Sequence, residues 1–145
     1  MIPLLLITHF VADFILQSRE MGKKKSSEPI WLFKHLTIQL SAFAIVLAPI
    51  VGPSRAVGFA LANAVIHGVI DWNIWRGYKA LVHWRLYDEK GQTWKPESQG
   101  KPLHSLMSDT GVWQYWEDHL FYATIGFDQL LHGVTLVLLA GAFHL

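Results

Sequence analysis

The sequence predicts an all-α fold: one integral membrane domain, residues 1–145, built as an antiparallel four-helix bundle with a polar His/Asp core. Three observations predict it. Of the 145 residues, 52% are hydrophobic and only 16% are charged, whereas charged residues supply roughly a quarter of a soluble domain. The apolar residues gather in four stretches bounded by turn residues, Pro or charge, on the scale of the ~20 residues that cross a bilayer. Within each stretch His, Asp, Asn and Gln recur at four-residue spacing, Gln129 apart, which stacks them on one face of a helix.

The first span covers residues 2–17; it is short, so a tilted entry is expected. It lacks a basic segment before its apolar run and a small-residue cleavage site after it, so no cleaved signal peptide is expected. The second span, residues 29–51, follows SSEP, with Ser27 as its predicted N-cap. The third follows GPSR and covers 56–78. The fourth, 112–145, begins after SDTG, where Asp109 or Thr110 could cap it. It exceeds one crossing, so VWQYWEDHLFY is expected partly in the interface, with the crossing itself from about Ala123. The loops are 18–28 and 79–111, and WRLYDEKGQTWK in the second of them could close a small hairpin. Trp31, Trp72, Trp75, Trp113 and Trp116 flank the spans like an aromatic belt.

Charge placement predicts orientation. Arg19, Lys23, Lys24 and Lys25 lie in the first loop, and Arg76, Lys79, Arg85, Lys90, Lys95 and Lys101 in or beside the third, while Arg55 alone marks the second. Basic loops stay cytoplasmic, so both termini are expected on the opposite side, in what reads as a bacterial inner membrane. The Lys run is explained by topology alone, with an anionic-lipid patch as the alternative. A net charge of +1 argues against nucleic acid as a partner, and the absence of Cys removes disulfides, thiolate metal sites and Cys nucleophiles.

The stripes carry the chemistry. Span one has His9, Asp13 and Gln17; span two has His35 and Gln39; span three has Asn63, His67 and Asp71; span four has Asp128, Gln129 and His132. An ionisable group in lipid costs about 2.5 to 3.5 kcal/mol, so the stripes are expected to face one another inside the bundle. Spans one and three read H-x-x-x-D, and span four reads D-x-x-x-H. In an alternating bundle this reversal puts His9, His67 and His132 at one depth, and Asp13, Asp71 and Asp128 about 6 Å nearer the cytoplasm. Interhelical hydrogen bonding alone is a cheaper task that amides and hydroxyls perform, and it remains the plain reading of Gln17, Gln39, Asn63 and Gln129. His83, His104, His144 and the Asp118–His119 pair need no special role, whereas Glu117 is eleven residues before Asp128 and shares its helical face.

Three crowded carboxylates repel one another unless cations neutralise them. Imidazole and carboxylate suit one or two divalent ions, zinc first, with manganese or iron as alternatives. The expected ligands are His9, Asp13, His67, Asp71, Asp128 and His132, with His35 as a further ligand or general base. Asp13, His35, Asp71 and Asp128 are the expected catalytic groups, and Gln17, Lys25, Gln39, Asn63 and Gln129 are expected to support them or touch substrate.

HFVADFILQ near the N-terminus, the Lys cluster after it, His35, IHGVID in the third span and FDQLLH in the fourth together resemble the family of domain of unknown function 3307, small bacterial and phage integral membrane proteins. The resemblance covers nearly the whole chain. It implies the fold, and it implies a Lys shortly after the third-span Asp; here WNIWRGYK follows Asp71, so Arg76 or Lys79 takes that place. The reading reached from the residues is a membrane-embedded metal-dependent hydrolase acting on a phosphoester or lipid-linked substrate from the cytoplasmic side. A proton or divalent-cation translocator is the main alternative. A redox di-metal enzyme and a non-catalytic interaction protein follow, and a homo-oligomer stays open.

Overall fold

Many polar residues are inside and many large apolar residues outside in the computed structural model, which describes residues 1–88 and 119–145 except for the side chains of 82–88. The buried residues include His9, Asp13, His35, Gln39, Asn63, His67, Asp71, Asp128 and His132, while Ile45 is 73% exposed, Phe33 69% and Leu138 67%. Water would reverse that distribution; a hydrocarbon surround does not.

Helix α1 spans Ile2–Phe10 and runs directly into a π-helical turn, Val11–Ile15. In that turn the Leu16 N–H donates to the Val11 carbonyl at 2.9 Å, five residues back. The wider turn carries Asp13 and breaks the strict four-residue stacking assumed for His9, Asp13 and Gln17. Loop 18–28, expected to be irregular, contains a short helix α2, Arg19–Lys24, because Ser18 caps it through the Met21 N–H at 3.2 Å. Glu20 in its first turn and Lys23 and Lys24 in its last also suit the helix dipole.

Helix α3 spans Pro29–Val51, as the sequence predicts, but its N-cap is Glu28 rather than Ser27. The Ser27 hydroxyl instead accepts a hydrogen bond from Lys79. Gly52 turns the chain with φ 87° and ψ 151°, a conformation that side-chain-bearing residues avoid, and α4 begins at once with Pro53. Helix α4 runs to Asp88, ten residues past the expected boundary at 78. No Gly or Pro interrupts the sequence between Gly77 and Gly91, so the helix continues, and the first residues of the expected hairpin are helical. The rest of that hairpin lies outside the described residues, as do Trp113, Trp116, Glu117, His104, Asp109 and Thr110. Helix α5 spans His119–Ala142. Among the described residues there is no strand, and α3, the Pro53–Leu81 part of α4 and α5 are long and apolar enough to cross a membrane. The Ile2–Ile15 segment is apolar but shorter.

Neighbouring helices run antiparallel. Phe43 meets Phe59, and His35 meets His67, across α3 and α4. Phe59 meets Phe143, His67 meets His132, and Trp75 meets Phe121 across α4 and α5. Arg55 at the start of α4 donates to the carbonyls of Phe143 and His144, which closes the end of α5. Beside it lies an apolar layer of Leu5, Phe43, Leu47, Ala56, Phe59, Ala60, Leu136 and Ala140, all essentially inaccessible. The polar layer begins one to two turns further along each helix.

Candidate metal centre

Gly68 allows α3 and α4 to approach closely at the polar layer, since a Cβ there would stand 2.8 Å from the Leu36 side chain. The approach brings His35 and His67 together with their Nε2 atoms 2.8 Å apart. Both nitrogens also face two carboxylates. His35 Nε2 is 2.9 Å from Asp13 Oδ1 and 3.3 Å from Asp71 Oδ2. His67 Nε2 is 3.3 Å from Asp13 Oδ1 and 3.1 Å from Asp71 Oδ2. Four donor atoms from three helical segments thus form a closed ring.

If one ring carries its proton on Nε2, it donates to the Nε2 of the other, and both Nδ1 atoms stay buried without a partner. If the proton moves to Nδ1, two nitrogen lone pairs face each other and two carboxylate oxygens. A cation would be held by the second arrangement, in which nitrogen and oxygen lone pairs converge. The Gln39 amide donates to Asp13 Oδ1 at 2.9 Å and fixes that carboxylate from α3.

A second group lies on the other side of Asp13. The His9 ring stands 5.3 Å from that of His67 and 4.9 Å from that of His132, and the His67 and His132 centroids are 4.1 Å apart. His9 Nε2 is 3.6 Å from Asp13 Oδ2, and His132 Nδ1 is 3.8 Å from Asp128 Oδ1. Among the described residues, none of the four ring nitrogens of His9 and His132 makes a hydrogen bond, nor does Asp128 Oδ1. Gln129 donates at 3.3 Å to both Asp13 Oδ2 and Asp128 Oδ2, tying the two carboxylates together. Three sets of potential ligands converge within 4.8 Å: His9, His67 and His132; Asp13, His35 and His67; and Asp13, Asp128 and His132.

Lys25 reaches into the cluster from the loop after α2, and its ammonium lies 2.9 Å from Asp71 Oδ1. Burial alone would pull the Lys25 ammonium down, but the carboxylates of Asp71, Asp13 and Asp128 outweigh it and hold the group above its ordinary value. Lys25 therefore offsets one of three carboxylates. With neutral imidazoles the cluster keeps a deficit of two positive charges, which one divalent ion would cancel.

Of the supporting residues named from sequence, Gln39 and Gln129 touch the carboxylates and Lys25 pairs with one. Asn63 is buried one turn before His67 with its amide nitrogen unbonded, and Gln17 packs over Gly22 in α2, so neither makes a hydrogen bond to the cluster. Sequence reasoning passed over Ser26, which is buried and accepts a hydrogen bond from Lys79 at 2.8 Å, as Ser27 also does. The signal was the SS pair directly after KKK, hydroxyls at the end of a basic run. Arg76, the other basic residue after Asp71, lies over the Trp72 ring instead.

A family model described as a protein of unknown function (DUF3307) matches residues 1–145, the whole chain. The chain belongs to that family. No curated protein and no solved structure matches this DUF3307 chain.

Proposed function

We propose that this chain is a membrane-embedded, metal-dependent hydrolase of a phosphoester or lipid-linked anionic substrate. The observation that carries the reading is the ring of Asp13, His35, His67 and Asp71, four buried donors at 2.8 to 3.3 Å from their neighbours. On this reading the four apolar segments form an antiparallel four-helix bundle in a bacterial inner membrane. The lysine-bearing loops lie on the cytoplasmic side and the termini on the other.

A divalent ion, zinc before manganese or iron, would polarise the scissile group and acidify a water for attack. Asp13, His35 and His67 would hold it. Asp71, tethered by Lys25, would orient the imidazoles or complete the set, and a carboxylate oxygen not committed to the ion would take the proton released by the attacking water. Lys79 with the Ser26 and Ser27 hydroxyls offers cationic and hydroxyl donors beside Lys25, which suits a phosphate group approaching from the headgroup layer. The apolar layer beyond the histidines offers no relay for protons, which weighs against the translocator.

The test uses the full chain purified in detergent and a chromogenic phosphoester, assayed with and without a chelator and alongside Asp71→Asn. Chelator-sensitive hydrolysis that Asp71→Asn abolishes in a folded protein supports the reading. A metal-free protein, or activity indifferent to both treatments, overturns it. Metal-dependent proton movement into liposomes without hydrolysis would select the translocator.

A further inference from the structure

The two oxygens of Asp13 face different partners. Oδ1 meets His35 at 2.9 Å, His67 at 3.3 Å and the Gln39 amide at 2.9 Å. Oδ2 meets His9 at 3.6 Å and the Gln129 amide at 3.3 Å, on the side where Asp128 and His132 converge with this carboxylate. His35 converges with Asp13 and His67, but not with His9 or His132. One ion with ligand distances of roughly 2.0 to 2.2 Å cannot gather both sides.

We infer that the cluster is two cation sites sharing Asp13 as a bridging carboxylate. The first is Asp13 Oδ1, His35 and His67, next to Asp71; the second is Asp13, Asp128 and His132, with His9 beside Asp13 Oδ2. This inference rests on the proposed function only in taking the cluster to bind a cation.

The second site stands on an observation independent of the first. His9 is 4% exposed and His132 2%, yet no ring nitrogen of either makes a hydrogen bond. Leaving such buried groups unsatisfied is unfavourable, and Asp128 Oδ1 adds to the penalty. A cation between Asp13, Asp128 and His132, whose ligand atoms converge within 4.8 Å, satisfies one His132 nitrogen and that oxygen together, with His9 3.6 Å from Asp13 Oδ2 as the next imidazole. One imidazole and two carboxylates make three ligands for a zinc- or manganese-type ion, and leave a fourth position toward His9. Gln129, which donates to both Asp13 Oδ2 and Asp128 Oδ2, leaves the Asp128 Oδ1 lone pairs free to turn inward.

Charge gives the pair a direction. The three carboxylates and Lys25 leave two negative charges, so a second divalent ion makes the centre cationic. A site of that sign recruits an anionic ester, and two ions roughly 3.5 to 4 Å apart, sharing a carboxylate, clamp the attacking and leaving oxygens of a displacement.

The experiment titrates the full detergent-purified chain with manganous chloride alone, measuring bound manganese per chain by elemental analysis and spin coupling by electron paramagnetic resonance. Two ions per chain with an exchange-coupled spectrum are expected. His132→Ala should bind one and give the isolated-ion hyperfine pattern. His35→Ala should do the same from the other side, and Asp13→Asn should abolish the coupling. One ion in the wild-type chain overturns the second site but leaves the hydrolase reading intact; two uncoupled ions overturn the Asp13 bridge. A chain that binds none overturns the metal reading as well. Two coupled ions with no hydrolysis would sink the proposed reaction and leave this assignment standing. The wild-type titration decides stoichiometry and coupling even if a variant fails to fold.

Discussion

Lys25 Nζ and Asp71 Oδ1 lie 2.9 Å apart, with side chains 6% and 0% exposed, so a loop residue and a mid-helix residue form a buried ion pair beside the histidines. Removing one partner strands the other charge. Lys25→Met should destabilise the protein by about 3 to 5 kcal/mol, and Lys25→Met with Asp71→Asn should recover a large part of that loss. Thermal unfolding in detergent of the wild type, both single variants and the double variant measures the coupling.

The same pair sets a pH dependence. Lys25 is held above the ordinary lysine value of 10.5. A folded-state value raised above the unfolded one contributes stability that is fully present below 10.5 and is lost as pH rises through the folded value. The stability difference between wild type and Lys25→Met should therefore stay constant from neutral pH to about pH 10 and shrink only above it. A difference that decays through pH 8 would contradict the pairing.

Gln39 donates to Asp13 Oδ1 at 2.9 Å without standing among the converging ligands. Gln39→Leu should weaken divalent-ion affinity about 10- to 100-fold while leaving the number of ions bound unchanged. Competition against a chromogenic chelator reads the affinity, and elemental analysis reads the number.

Gly52 joins α3 to α4 at φ 87° and ψ 151°, where a Cβ has no room against its own backbone. Gly52→Ala should cost about 1 to 3 kcal/mol and move the unfolding midpoint down, with metal content unaltered because the turn lies beyond the apolar layer.

Phe59 is fully buried between Phe43 and Phe143 in that apolar layer. Phe59→Ala should destabilise by about 3 to 5 kcal/mol through the cavity it leaves, without changing metal stoichiometry. Loss of bound ion in a variant that remains folded would show that the two layers are not separable.

Much of the centre was legible because buried charge obeys helical spacing. His9 and Asp13, His67 and Asp71, and Asp128 and His132 recur four residues apart, and the reversed order in the last pair follows from antiparallel packing. The depth of His9, His67 and His132 could be read from that reversal, and their rings lie together. His35 carries no Asp in its own helix, so its place between Asp13 and Asp71 depends on how closely Gly68 lets α3 approach, which is a packing fact. Lys25 sits in a basic run that topology already explains, and nothing local marks the one lysine that turns inward. The cap at Ser27 failed because Lys79, fifty-two residues away, competes for its hydroxyl. The helix over 19–24 was missed because a charged loop and a short capped helix have the same composition.

The π turn at Val11–Ile15 makes the first segment sensitive to length as well as to identity. A wide turn amounts to one extra residue held in a helix, so deleting a single position from it would let the ordinary helical winding return. Removing it would therefore keep His9 facing His132, whereas one more residue inserted there could not be absorbed and would swivel everything toward the N-terminus by about 100°, presenting an apolar neighbour in place of His9. A chain lengthened in this way should keep its helical circular dichroism and its His35–His67 partnership, and lose the contribution of His9.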